Sequence, residues 1–191
     1  MNIGEEFGIL GLSWARIHFI ENPGMAFGIE IGGQYGKLFL SIFRIVAVFF
    51  LIYIIKQLIV TKEPVGLIIC FTLILAGAIG NILDSAFYGL IFSESPYHGG
   101  VAEIFPPEGY AGFLKGKVVD MLYFPMIDTY LPKWLPIFGG NKFEFFRPVF
   151  NIADSAISIG VISILLFYRS IFFKSDNDKK ETAIHPSDQE E

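Results

Sequence analysis

Two aspartates carry the chemistry this chain can do. Asp154 sits in Phe150-Asn151-Ile152-Ala153-Asp154-Ser155-Ala156-Ile157, where a long apolar run begins. A charged side chain at a membrane-spanning helix is costly, and it is kept for a reason. One such reason is structural: Asn151 as an N-cap and Asp154 as an acid in the first turn, where the helix dipole favours negative charge. Asp120 sits in Lys117-Val118-Val119-Asp120-Met121, an apolar, strand-like stretch. The bland fate of a lone aspartate there is an exposed loop carboxylate. Brought together, the two would repel, so that one keeps its proton while the other ionises. Such a pair can hydrolyse an amide. The ionised member takes a proton from water, and the protonated member polarises the carbonyl and helps protonate the leaving amine. The spacing along the chain leaves open whether they meet.

Other polar residues fall at the edges of apolar runs. Asn22 lies in Asn22-Pro23-Gly24-Met25-Ala26-Phe27-Gly28, and its plain reading is a turn residue before proline. Asn81 and Asp84 close the second apolar run in Gly77-Ala78-Ile79-Gly80-Asn81-Ile82-Leu83-Asp84. They are one turn apart on one helical face, with interhelical bonding as the structural alternative. The small residues Ala76, Gly77, Ala78 and Gly80 let another helix approach closely. Arg44 is about two turns into the first run, where it can snorkel to the surface or pair with a carboxylate. His18, His98 and His185 are scattered without ligand spacing, so no metal site is expected.

The elements that must position these residues are membrane spans. A spanning helix needs roughly 20 apolar residues. Three segments qualify, over about 37–60, 65–83 and 148–168. Lys56 and Lys62 flank the first link, and Arg169, Lys174, Lys179 and Lys180 follow the third span. The positive-inside rule puts both on the cytoplasmic side, leaving 1–36 and 85–147 outside. The stretch Arg16–Glu30 alternates and then turns at Asn22-Pro23-Gly24, which predicts a strand and a turn. The connection 85–147 holds Tyr97, Phe105, Tyr110, Tyr123, Trp134 and Phe138 among prolines and glycines. That density suits a partly folded platform on the outer headgroups. The expected fold class is therefore a mainly α-helical membrane protein with a small extracytoplasmic β-like platform and an interfacial loop. Residues 1–174 read as one integral membrane domain, and 175–191 as a polar, disordered cytoplasmic tail.

Composition agrees. Of 191 residues, 53% are hydrophobic and 17% charged, with Phe occurring 21 times. Soluble domains run near 45–50% apolar and about 25% charged, so a soluble core could not hide this much apolar surface. The net charge of -5 comes largely from the tail and argues against nucleic acid as a partner. The single cysteine, Cys70, permits no internal disulfide. Met1–Leu12 contains Glu5 and Glu6 and lacks the basic and apolar regions of a signal peptide.

Taken in order, the blocks NPGMAFG, GAIGNILD, KVVDM and RPVFNIADSAISIG resemble the four signature blocks of the bacterial lipoprotein signal peptidases, the signal peptidase II family. The resemblance covers roughly residues 16–170, and FNIADSAI is its most specific part. It implies an aspartyl peptidase with Asp120 and Asp154 as its catalytic dyad. It implies substrate-binding or dyad-orienting roles for Asn22, Asn81, Asn151, Asp84 and Arg44. The implied substrate is a prolipoprotein, cut just before a diacylglyceryl-modified cysteine, at the outer face of the bacterial cytoplasmic (inner) membrane. Membrane lipids are the other expected partner, and no metal or organic cofactor is implied. The chain departs from the family pattern in three ways. Four spans are usual, and the first, with an Asp-Gln-x-x-x-Lys motif, would precede this chain's start. The GN block ends in Asp84-Ser85 where many members have Asp-Arg, with Arg147 or another base as a replacement. The connections between Asp84, Asp120 and Asp154 are longer than usual. These departures keep two other classes in view: a non-cleaving membrane binding protein, and a small transporter relaying protons through Asp84 and Asp154.

Overall fold

The computed structural model describes residues 2–23, 33–136 and 138–171. The turn expected after Pro23 and the expected tail 175–191 lie outside the described residues. Three helices form the membrane part: α1 (Gly33–Val60), α2 (Val65–Ile91) and α3 (Ile152–Ser163), the last running on through a π-helical turn, Ile164–Tyr168. All three are long and apolar enough to cross a membrane, over Leu38–Val60, Val65–Ile91 and Ile152–Ile171. The α1–α2 link turns at Lys62, whose φ is +56°, and α2 starts directly after Pro64, where a missing N–H removes no helical bond.

Two helix boundaries differ from the sequence expectation. α2 continues two turns past Leu83, to Ile91, because Ser85–Ile91 holds no proline and stays compatible with a helix. Asp84 is therefore inside the helix. α3 starts at Ile152 rather than at Pro148, because Val149-Phe150 pairs as a strand and Asn151 caps the helix.

Glycines decide how the helices pack. A Cβ on Gly77 would run into the carbonyl oxygen of Ala153 and come within 2.7 Å of Ile157. One on Gly160 would lie 2.6 Å from the carbonyl oxygen of Cys70. α2 and α3 thus touch backbone to backbone, the close approach that small residues permit where lipid supplies no hydrophobic drive. α1 shows the opposite character. Its Phe39, Phe43, Phe49, Phe50 and Tyr53 point outward and exposed.

The extramembrane part is a four-stranded antiparallel sheet in the order β1 (Glu6–Gly8), β2 (Arg16–Asn22), β3 (Val118–Tyr123), β6 (Val149–Phe150). A separate hairpin pairs β4 (Ile127–Tyr130) with β5 (Lys142–Phe145). The platform expected from the aromatic-rich connection is thus folded. Register sets Ile20 opposite Asp120 and Asn22 opposite Val118, after an irregularity between Ile17 and Ile20. The segment leading into β3 lies on the last turns of α2. Ala111 N–H donates to Gly89 O at 3.0 Å and Gly116 N–H to Ser85 O at 2.8 Å. Ser41 of α1 fastens the same segment from the other side, donating to Leu114 O at 2.9 Å. Lys117 pairs with the buried Glu21 carboxylate at 2.7 Å, locking β3 to β2.

Candidate active site

β3 delivers Asp120 and the start of α3 delivers Asp154, and the two meet at one hydrogen-bonded node. Asp120 is 4% exposed. Its Oδ2 accepts from Asn22 Nδ2 at 3.0 Å and its Oδ1 from Asn151 Nδ2 at 2.9 Å. Asp154 Oδ1 accepts from Asn81 Nδ2 at 2.9 Å, and its Oδ2 from the Asn151 N–H at 3.3 Å. Asn151 Nδ2 also donates to Asn81 Oδ1 at 3.1 Å, closing the network between α2 and α3. Each of the four carboxylate oxygens thus accepts an amide hydrogen bond. Bonds of this charge-assisted kind are worth about 1.5–3 kcal/mol each, enough to hold a side chain in one rotamer.

Asn151 is the hinge of the arrangement. Its Oδ1 accepts from Asp154 N–H at 2.8 Å, and Asp154 returns a bond to the Asn151 N–H, completing a capping box. The structural reading of Asn151 and Asp154 is therefore correct as far as it goes. The same cap then spends both amide hydrogens of Asn151 on Asp120 and Asn81. Helix initiation and the placement of two carboxylates are one set of bonds.

Burial pushes the Asp120 carboxyl up to about 6, and the nearby Asp154 and Asp84 charges add to the rise, while the bonds from Asn22 and Asn151 act the other way. Asp120 is thus the carboxyl that keeps a proton into mildly acidic solution. Asp154 sits in the first turn of α3, where the helix dipole favours negative charge. Two carboxyls in one node, one of them holding its proton to higher pH than an ordinary aspartate, have the equipment for water-dependent amide hydrolysis.

The remaining sequence candidates fall around this node in different roles. Asp84 lies near Tyr88 of its own helix and near Val119, the residue next to Asp120, and within the field of Asp154. Arg44 lies half-buried within the fields of Asp154 and Asp120, with Nη1 3.4 Å from Ser85 Oγ. Ser85, which replaces the arginine of the resembled pattern, donates its own hydroxyl to Asn81 O at 3.0 Å. An arginine from α1 thus stands over the position where α2 lacks one. His18 pairs with Glu6 at 3.1 Å, away from the node. Tyr88 was not singled out by sequence. Its signal was its i, i+4 spacing from Asp84, legible only once the helix is known to continue.

These features define a class: a multi-pass membrane hydrolase built around a carboxylate pair. The model of Signal peptidase (SPase) II matches residues 2–172. Lipoprotein signal peptidases of two Porphyromonas gingivalis strains are each 53% identical over 169 residues, covering 87% of this chain and 73% of theirs. The Amoebophilus asiaticus lipoprotein signal peptidase is 38% identical over 159 residues, covering 83% of this chain and 63% of its own. A solved bacterial membrane enzyme, 26% identical, superposes with a TM-score of 0.50 over 88% of this chain and 79% of that one. The chain belongs to the signal peptidase II family and is an aspartic endopeptidase of that type.

Proposed function

We propose that Asp120 and Asp154 are the dyad with which this peptidase removes signal peptides from lipid-modified prolipoproteins, cutting before the diacylglyceryl-cysteine. The observation that carries the reading is the double engagement of Asn151, whose side chain holds Asp120 while its backbone N–H holds Asp154. Asp154, the ionised member, accepts a proton from the attacking water. Asp120, the protonated member, donates to the scissile carbonyl oxygen; Asp154 then passes the water's proton to the leaving amine while Asp120 recovers its own from the gem-diol hydroxyl. Asn22, Asn81 and Asn151 orient these groups, Asp84 steadies β3, and Arg44 offsets the negative charge. The substrate suits such a site: it spans the bilayer on one side of the scissile bond and carries lipid on the other, so the bond sits at the membrane surface.

The basic residues around the α1–α2 link and after α3 support a bacterial cytoplasmic membrane location with the dyad on the outer face. Labelling of a cysteine introduced in the tail from outside intact cells would refute that orientation.

The deciding experiment is cleavage of a lipid-modified prolipoprotein by the purified chain. Asp120→Asn and Asp154→Asn should each lower the rate by roughly a thousand-fold or more, and the double variant should be little worse, because the two act as a unit. Substantial cleavage by either single variant removes the dyad mechanism.

A further inference from the structure

The β4–β5 hairpin carries an apolar face that the folded chain leaves open. Its register pairs Ile127 with Phe145 and Thr129 with Phe143, so these four residues share one face. Ile127, Phe143 and Phe145 are all exposed, and the loop beyond them exposes Trp134 at 80%. A second apolar tip stands at the same end of the sheet. Arg16 is registered with Tyr123, and Tyr123 with Val149, so the β1–β2 turn and the hairpin leave the sheet together. That turn holds Leu10 94% exposed at a φ of +52°, a strained conformation for a bulky side chain, with Trp14 exposed beside it. Large apolar side chains gathered in the open at one end of a sheet mark a surface made for an occupant.

We propose that the β4–β5 hairpin and the Ile9–Trp14 turn seat together in the outer interfacial layer of the bilayer, anchoring the four-stranded sheet, and Asp120 with it, at a set height. The occupant is lipid because the patch is continuous with a surface that already faces lipid. Trp14 lies against Phe124 with ring centroids 6.3 Å apart, Phe124 against Phe150 at 5.6 Å, and Phe150 meets Phe146 edge-on at 6.0 Å. Phe150 immediately precedes the cap of α3, whose first residue, Ile152, is exposed on the membrane span. Six residues lie between Phe145 and Ile152, so across these seven steps the hairpin cannot stray more than about 25 Å from the start of the span. The chemistry also suits that layer. Tyr130, Trp134 and Phe138 supply rings that partition to the headgroup boundary, and Lys133 beside Trp134 carries a charge that can reach the phosphates.

The chain contains two tryptophans, and both are in the patch. Trp14→Phe leaves Trp134 as the only indole, and Trp134→Phe leaves Trp14. Each variant is placed in bilayers of phosphatidylcholine with or without bromine high on the acyl chains, and tryptophan emission is recorded. Emission should be blue-shifted in both variants, fall by half or more in brominated bilayers, and resist quenching by aqueous iodide. Prolipoprotein cleavage by both variants should stay near that of the parent chain, which shows that the fold is intact. Emission typical of water, open to iodide and indifferent to brominated lipid, overturns the proposal. So does a shift that appears only when prolipoprotein is added, which assigns the patch to the substrate. A shift that depends on protein density in the bilayer overturns it in favour of a second copy of this chain.

Discussion

Helices α1 and α2 leave the same short link and are both strongly apolar, yet they meet their surroundings in opposite ways. α1 turns bulky rings outward, reaches towards the site with Arg44 and holds the segment before β3 with Ser41. α2 turns Gly77, Asn81, Ser85 and Gly89 inward, all of them buried. In a membrane, apolar character does not tell a helix what to pack against, since lipid chains are as apolar as leucine. Small residues and polar side chains do. The site forms where α2 presents both, and α3 answers with Ala153, Asn151 and Asp154.

That contrast breaks most sharply at Gly77. Gly77→Leu must push α3 off α2 at Ala153, one residue before Asp154. Overpacking of this kind costs about 1–3 kcal/mol, and activity should fall almost as far as in the dyad variants. Phe49→Ala on the outer face of α1 should leave both thermal midpoint and cleavage nearly unchanged. Equal losses in the two variants would mean that the helices are not distinguished as described.

Asn151 gives the next largest effect and separates capping from bridging. Asn151→Ala should lose about 1 kcal/mol of helix capping and roughly a hundred-fold in rate. Asn151→Ser keeps an oxygen for the Asp154 N–H but has no amide to reach Asp120 and Asn81. Thermal stability should recover while cleavage stays low. Recovery of both would reduce Asn151 to a cap.

Asn22 tests the protonation assignment. Its bond lowers the Asp120 pKa from the raised position that burial sets. Deleting it in Asn22→Ala should raise that pKa further. Because Asp120 acts as the protonated member, activity is lost as pH rises through its pKa, so the alkaline limb of the kcat/KM profile should move to higher pH. The rate at the optimum should drop several-fold, by less than in the aspartate variants. An alkaline limb that stays in place, or moves down, would show that another group titrates. The smallest effect belongs to Ser85→Ala, which removes a long contact to Arg44 and a hydroxyl bond back to Asn81 O within the same helix, and should change the rate by no more than about two-fold.

The sequence by itself determined the class of this protein. Three long apolar runs and the alternation at Arg16–Asn22 point to spans and a strand, because periodicity and hydropathy are local properties. The ordered blocks around Asn22, Asn81, Asp120 and Asp154 carried the family resemblance for the same reason. What local pattern could not supply was the partner of each polar group. Asn151 read equally well as a cap or a site residue, and only the tertiary structure shows the capping side chain also bonded to Asp120 and Asn81, since one amide can face three helix and strand ends at once. The extension of α2 to Ile91, which sets Tyr88 near Asp84, goes with the segment 109–117 folding back over it. The open face of the β4–β5 hairpin was likewise invisible, because strand register is decided across the sheet, by residues far apart along the chain.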